Sequence, residues 1–282
     1  MTDIAGAGTP VHGRLGVTAG IEDGELRLGL RPPAETLHHG VVRASVLAYL
    51  VDAAAGIPID DDPDVWTLTT DMTVRMRPAP APARIGAASR VLRRGRRSVT
   101  CAVELTTERG AHLATGAIGF ARVARKASDP PKPVLTPDGM VELFGTIDPI
   151  DRPVREAAGI EVVDPAAGVV QVELTPELRN PAGTLQGAMV ALVAEAAAED
   201  LVSTRFGVAA VVTDLDLRYL AQTRAGPVRT TSRLLGDGPD APIEVALVDT
   251  STGTLTTLVY ARTARADPGG ARADPTHGNG IL

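Results

Sequence analysis

The chain is poor in cysteine, in aromatics and in basic charge, and each shortage excludes something. One cysteine, Cys101, in 282 residues rules out an internal disulfide. It sits in an alternating stretch where a buried thiol is the ordinary reading, and five scattered histidines with one thiol give no zinc-type spacing, so no metal is expected. One Trp, three Tyr and three Phe cannot supply the stacking platform of a single-strand nucleic-acid binder. With 28 Lys and Arg against 34 Asp and Glu, the net charge of −6 offers no general attraction to phosphate backbones or anionic lipid. Neither nucleic acid nor a membrane is an expected partner. No run reaches the ~18 consecutive apolar residues of a membrane span. The first thirty residues hold Asp3, Glu22 and Asp23 but no basic segment leading into an apolar one, so the expected location is cytoplasmic. What remains is a chain that is 44% hydrophobic, drawn mostly from Ala, Val and Leu, long enough for one large domain or two small ones.

Internal similarity favours two. Val74-Arg75-Met76 after Thr70-Asp71 has its echo in Leu217-Arg218-Tyr219 after Thr213-Asp214, 143 residues on. Ser89-Arg90-Val91-Leu92 matches Ser232-Arg233-Leu234-Leu235, and Gly110 matches Gly253, at the same 143. Upstream, Gly24, Leu28, Leu30 and Pro32 align with Gly168, Val172, Leu174 and Pro176 at 144, and Phe120-Ala121-Arg122 parallels Tyr260-Ala261-Arg262 at 140.

The expected organisation is a first domain over 11–124, a Pro- and charge-rich linker over 125–152, a second domain over 153–265, and a disordered tail over 266–282. Each half reads as a short strand (Leu26 to Leu30; Val169 to Leu174), an Ala-rich helix, then extended stretches. In the first half these run from Trp66 to Arg77, Arg84 to Leu92, Ser98 to Thr106 and His112 to Ala124. One helix and about five strands per half make the fold class α+β. The two helical segments, Val46 to Ala55 and Val190 to Glu199, are apolar on nearly every face, which is the pattern of a buried helix. Yet one carries Asp52 and the other Glu195, and an unpaired buried carboxylate is costly.

The stretch Asn180-Pro-Ala-Gly-Thr-Leu-Gln186-Gly187 leading into the Glu195 helix resembles the active-site segment of hotdog-fold acyl-CoA thioesterases of the phenylacetate-pathway type. In that family an Asn, then a His or Gln followed by Gly, precede a helix bearing Asp or Glu. Thr36-Leu37-His38-His39-Gly40 followed by the Asp52 helix is similar. With the repeat, the chain from about Gly13 to Arg265 looks like a double hotdog: two tandem domains, each a long central helix wrapped by an antiparallel sheet, pairing as a pseudo-dimer. The resemblance implies hydrolysis of an acyl-CoA to a carboxylic acid and free coenzyme A, in the setting of lipid metabolism. It implies no cofactor, coenzyme A being part of the substrate, and assembly of the double unit into a homo-oligomer. Carried over residue by residue, site one combines Asn180, Gln186 and Gly187 with Asp52; site two combines His39 and Gly40 with Glu195. The chemistry suits the assignment. Backbone N–H groups at a helix start, near Gly40 and Gly187, can hold the oxygen that gains charge on attack, while the carboxylate serves as general base or as nucleophile.

The first half departs from the pattern. It has no Asn corresponding to Asn180, and His39 lies 147 residues before Gln186 whereas Asp52 lies 143 before Glu195. Pairing Asp52 with Glu199 instead is the alternative. Thr69, Thr70 and Thr213, on strands beside Asp71 and Asp214, are candidates to hold a substrate or a water, and Arg96 and Arg97, in an arginine-rich turn, to hold coenzyme A phosphates. A non-catalytic acyl-CoA binder and a structural pseudo-dimer are the rival readings. A hotdog hydratase lacks its Asp-x-x-x-x-His pair, since neither His12 nor His112 has an acid in the required place.

Overall fold

The computed structural model describes residues 9–129, 131–132 and 136–266. In chain order its elements are β1 (Val17–Glu22), β2 (Glu25–Leu30), β3 (Leu37–His38), β4 (Val41–Val42), α1 (Ala44–Gly56), β5 (Val65–Met76), β6 (Ile85–Arg94), β7 (Ser98–Thr107) and β8 (His112–Ala124). After α2 (Pro137–Thr146) and α3 (Val154–Ala157) come β9 (Glu161–Asp164), β10 (Val169–Val172), α4 (Gly187–Phe206), β11 (Ala210–Tyr219), β12 (Val228–Leu234), β13 (Ile243–Asp249) and β14 (Thr254–Arg265).

All strands but the β3–β4 hairpin join one antiparallel sheet of twelve, in the order β1-β2-β6-β7-β8-β5-β11-β14-β13-β12-β10-β9. Read from either end the order is the same with halves exchanged. The seam is β5 against β11, where Asp71 pairs with Arg218, Thr73 with Asp216 and Arg75 with Asp214. Since 71 and 214, 73 and 216, and 75 and 218 are each 143 apart, the sequence repeat is a pseudo-twofold axis through the Thr73–Asp216 pair. Two hotdog units sharing one continuous sheet form a double hotdog, an α+β fold.

Period-2 patterning makes the strands. On β7, Val99, Cys101, Val103 and Leu105 point inward, and on β13 Ile243, Val245 and Leu247 do, with smaller or polar residues between. Their inner faces wrap α1 and α4, whose apolar sides are buried all round. The sheet approaches α1 so closely at β8 that a Cβ on Gly116 would lie 2.7 Å from both methyls of Val51. Gly116→Ala is therefore expected to destabilise the fold by about 1–3 kcal/mol through overpacking, readable as a lowered urea midpoint.

Two expectations change here. The 140-residue match of Phe120-Ala121-Arg122 with Tyr260-Ala261-Arg262 is not structural equivalence. Gly119 faces Asp71 and Arg262 faces Asp214, so β8 and β14 also correspond at 143. The stretch 125–152 is also more than a connector. It carries α2, begun by the Thr136 hydroxyl accepting from Gly139 N at 3.1 Å, and it buries Met140 and Ile150. The tail lies outside the described residues from 267 on. Ala266 is buried, its N–H donating to Ala209 O at 2.8 Å. Among the described residues no helix is long and apolar enough to cross a membrane.

Candidate active site and its pseudo-symmetric counterpart

α1 and α4 lie side by side, each with its first turn beside the middle of the other, so the pseudo-twofold generates two positions where a helix start faces a carboxylate. They differ in nearly every chemical group.

At the first position a cavity of about 430 Å³ is lined by Asp52 and Thr69 from the first half and by Asn180, Gln186, Gly187 and Tyr219 from the second. Asp52 stands on α1 with its Oδ1 accepting from the Thr69 hydroxyl at 2.8 Å, and no described residue donates to its Oδ2. Burial pushes its carboxyl up to about 6, against a smaller lowering by the Thr69 bond. Across from it, Gln186 caps α4 with its side chain, which accepts from Ala188 N and Met189 N. That leaves the first N–H of the helix, Gly187, with no acceptor among the described residues. Its carbonyl is held by the Tyr219 hydroxyl at 3.1 Å, and a Cβ on Gly187 would come within 3.3 Å of that hydroxyl. Asn180 shapes the loop before the helix: its Oδ1 accepts from Thr184 N at 3.1 Å.

At the second position the same parts are spent on the protein itself. The residues 143 before Gln186 and Gly187 are Arg43 and Ala44, and the N–H of Ala44, which heads α1, donates to Glu195 Oε1 at 2.7 Å. The Ser45 hydroxyl donates to the other oxygen of Glu195. Arg43 donates to Glu199 at 2.6 Å, with Glu195 at 3.8 Å and His38 Nε2 3.5 Å from Glu199. Burial pushes Glu199 up to about 8, only partly opposed by Arg43, and burial with Arg43 brings His38 down to about 3. Burial works against the charge of Arg43 too, but Glu199 and Glu195 outweigh it and hold it protonated. Two carboxylates share one guanidinium, and a proton on Glu199 brings the cluster to neutrality. Glu195 thus sits where a ligand oxygen would sit on α1. Asp52, one methylene shorter, is held by the Thr69 hydroxyl instead and accepts no hydrogen bond from α4 among the described residues.

His39 and Gly40 are not at a helix start. They form the exposed β3–β4 turn, with φ of +50° and +78°, four residues before α1, and they do not line the cavity. This resolves the four-residue mismatch. The counterpart of Gln186-Gly187 is Arg43-Ala44, and a constant offset of 143 applied to Gln186 would have found it. Glu199, the alternative partner of Asp52, corresponds to Gly56 instead. Thr70 is the bulged residue of β5: it lines the cavity but donates to Asp71 at 2.8 Å, so Thr69 is the one that reaches Asp52. Thr213, the matching bulge, donates to Asp214 at 2.9 Å away from the cavity. Arg96 and Arg97 are exposed on the β6–β7 turn and line no part of the cavity. Arg97 O accepts from Arg122 N, and Arg122 pairs across the sheet with Thr67, a cavity residue.

No family model and no curated protein sequence matches the chain. Solved structures do. A tesB protein from Mycobacterium avium subspecies paratuberculosis superposes with a TM-score of 0.61 at 14% identity, covering 90% of this chain and 97% of that one. An acyl-CoA thioesterase II, TesB2, from Mycobacterium marinum gives 0.52 at 14%, covering 90% and 98%. A conserved protein of unknown function with a hot dog fold from Alicyclobacillus acidocaldarius gives 0.55 at 13%, covering 90% and 97%. At these identities the likeness is one of fold, and it extends over the whole double unit.

Proposed function

We propose that the chain is an acyl-CoA thioesterase with one working site, built from Asp52 and the start of α4. The observation that carries this is the unengaged Gly187 N–H sharing a cavity with a half-buried carboxylate. The thioester carbonyl oxygen would rest on Gly187 N–H at the positive end of α4, where charge developing on attack is stabilised. Asp52, oriented by Thr69, either takes a proton from water or adds to the carbonyl itself. In both routes one water is consumed, the acyl–sulfur bond breaks and the thiolate leaves with a proton. Hydrolysis of this kind calls for no metal or redox cofactor. The arginines beyond Thr67 and Ala121, namely Arg122, Arg97 and Arg96, offer forks for the phosphates of coenzyme A. The name carried by the Mycobacterium marinum structure points the same way.

Thiol release followed with a chromogenic reagent, from short, medium, long and aryl acyl-CoAs, tests the reading, with buried Cys101 checked as a possible background. Turnover on at least one class is expected, with kcat/KM rising with pH through an inflection near 6 as Asp52 loses its proton. No thiol release across the panel would refute it.

A further inference from the structure

The two positions differ at one more pair of residues, the last of each seam strand. Tyr219 ends β11 where Met76, 143 residues earlier, ends β5. Tyr219 follows Leu215 and Leu217 in alternation, so its ring turns inward to line the cavity, and its hydroxyl donates to Gly187 O at 3.1 Å. Burial, with a smaller push from the charge of Asp52, moves its pKa up, so at neutral pH the hydroxyl keeps its proton and remains a donor. The Gly187 carbonyl belongs to the same peptide unit as Ala188 N–H, and that N–H donates to Gln186 Oε1. Tyr219, the peptide and Gln186 thus form one relay, in which the bond to the carbonyl polarises the peptide and strengthens the bond made by its N–H. Met189 N adds a longer bond to the same Gln186 oxygen at 3.4 Å.

The relay decides which end of the Gln186 amide is free. A side-chain amide carries an oxygen that accepts and a nitrogen that donates, on two arms of nearly the same shape. With Oε1 bound to the helix start, Nε2 is the end left over. It meets no acceptor among the described residues, it is not sealed from solvent, and Gln186 lines the cavity. Gln186 Nε2 and Gly187 N–H are then two unengaged donors on adjacent residues. The other position lacks both ends of the relay. Met76 has no hydrogen to give, and Arg43, in the place of Gln186, makes no cap bond to α1. We propose that Tyr219 is a positioning residue of the site, holding the Gln186 amide with Nε2 toward the cavity through the Gly187–Ala188 peptide. The inference rests on the thioesterase reading above and adds to it a residue that acts through the backbone of α4.

Tyr219→Phe removes the hydroxyl and keeps the ring. A group that acts through Gln186 loses its effect once Gln186 is gone, so the test is a double-substitution cycle with Gln186→Ala, read on the acyl-CoA that the wild type hydrolyses fastest. Tyr219→Phe is expected to lower kcat about ten-fold, less than the full cost of misplacing a reacting group, with KM changed less than about two-fold. In the Gln186→Ala background the same substitution should change kcat by less than about two-fold. A kcat for Tyr219→Phe within about two-fold of the wild type overturns the proposal, as do two losses that multiply in the double variant, the result of independent damage. Amide NMR of the substrate-free protein reads the same relay without turnover. In Tyr219→Phe the Ala188 N–H resonance should move upfield and the Gln186 side-chain N–H resonances should shift with it. Gln186 resonances that stay in place overturn the proposal. If the wild type hydrolyses no acyl-CoA, the thioesterase reading fails separately and the NMR readout decides alone.

Discussion

Asp52→Asn is expected to lower kcat for thioester hydrolysis by about 10²–10⁴-fold, the range for loss of a positioned acid–base group, without loss of the fold. The amide keeps the shape and still accepts from Thr69 but can neither take a proton nor attack. The same substitution should stabilise the protein, and the sign follows from linkage. In the fold the carboxyl titrates near 6, above its ordinary value of 3.8, so the folded state holds this proton more tightly than the unfolded chain does. Its burial therefore weakens the fold progressively as pH rises from about 4 through 6, fully so above that. Asn removes the penalty, for a gain of up to about 3 kcal/mol at pH 8, measurable by urea unfolding, and little or none at pH 4. Activity lost with stability gained is the signature of a group kept for chemistry. Glu195→Gln should behave in the opposite way, with turnover retained and stability reduced, because its oxygens are spent on Ala44 N–H and the Ser45 hydroxyl.

Arg43→Met is the second large effect, and it falls on stability. The guanidinium is buried between Glu199 at 2.6 Å and Glu195 at 3.8 Å, and with Glu199 protonated its loss leaves the Glu195 carboxylate in the interior with no counter-charge. Breaking one side of such a cluster costs about 3–5 kcal/mol, and denaturant unfolding at pH 7 should show a drop of that size. Replacing the whole cluster with apolar residues of similar volume should restore most of it, since each remaining charge was being held there against its desolvation. A small loss in Arg43→Met would mean that water reaches these groups and that the second position is an open site.

The repeat is legible in the amino-acid sequence because its offset is carried by strands whose register cannot slip without turning core residues out to solvent. The same 143 residues reappear as a twofold axis through Thr73 and Asp216. The burial of Asp52 and Glu195 is legible as well, from helices apolar on every side. Other parts depend on backbone geometry that residue types do not announce. His39-Gly40 resembles Gln186-Gly187 in residue type, yet two residues in left-handed conformation make a hairpin turn rather than a helix start, and α1 begins four residues on. The bulge at Thr70 shifts the inward-facing hydroxyl to Thr69, a parity change that alternation alone cannot reveal. Arg43 carries no family motif, and its role emerges only where Glu195 and Glu199 close on it.

The central claim is that the double unit carries one substrate position per chain, at the start of α4, while its twin is filled by Glu195. Isothermal titration with a non-hydrolysable acyl-CoA analogue, in which a methylene replaces the thioester sulfur, tests this most directly. The expected result is one molecule bound per chain in the wild type and in Glu195→Gln, with binding weakened at least ten-fold in Gly187→Pro, which removes the N–H while fitting a helix start. Two molecules per wild-type chain, or one whose affinity is indifferent to Gly187→Pro, would contradict it.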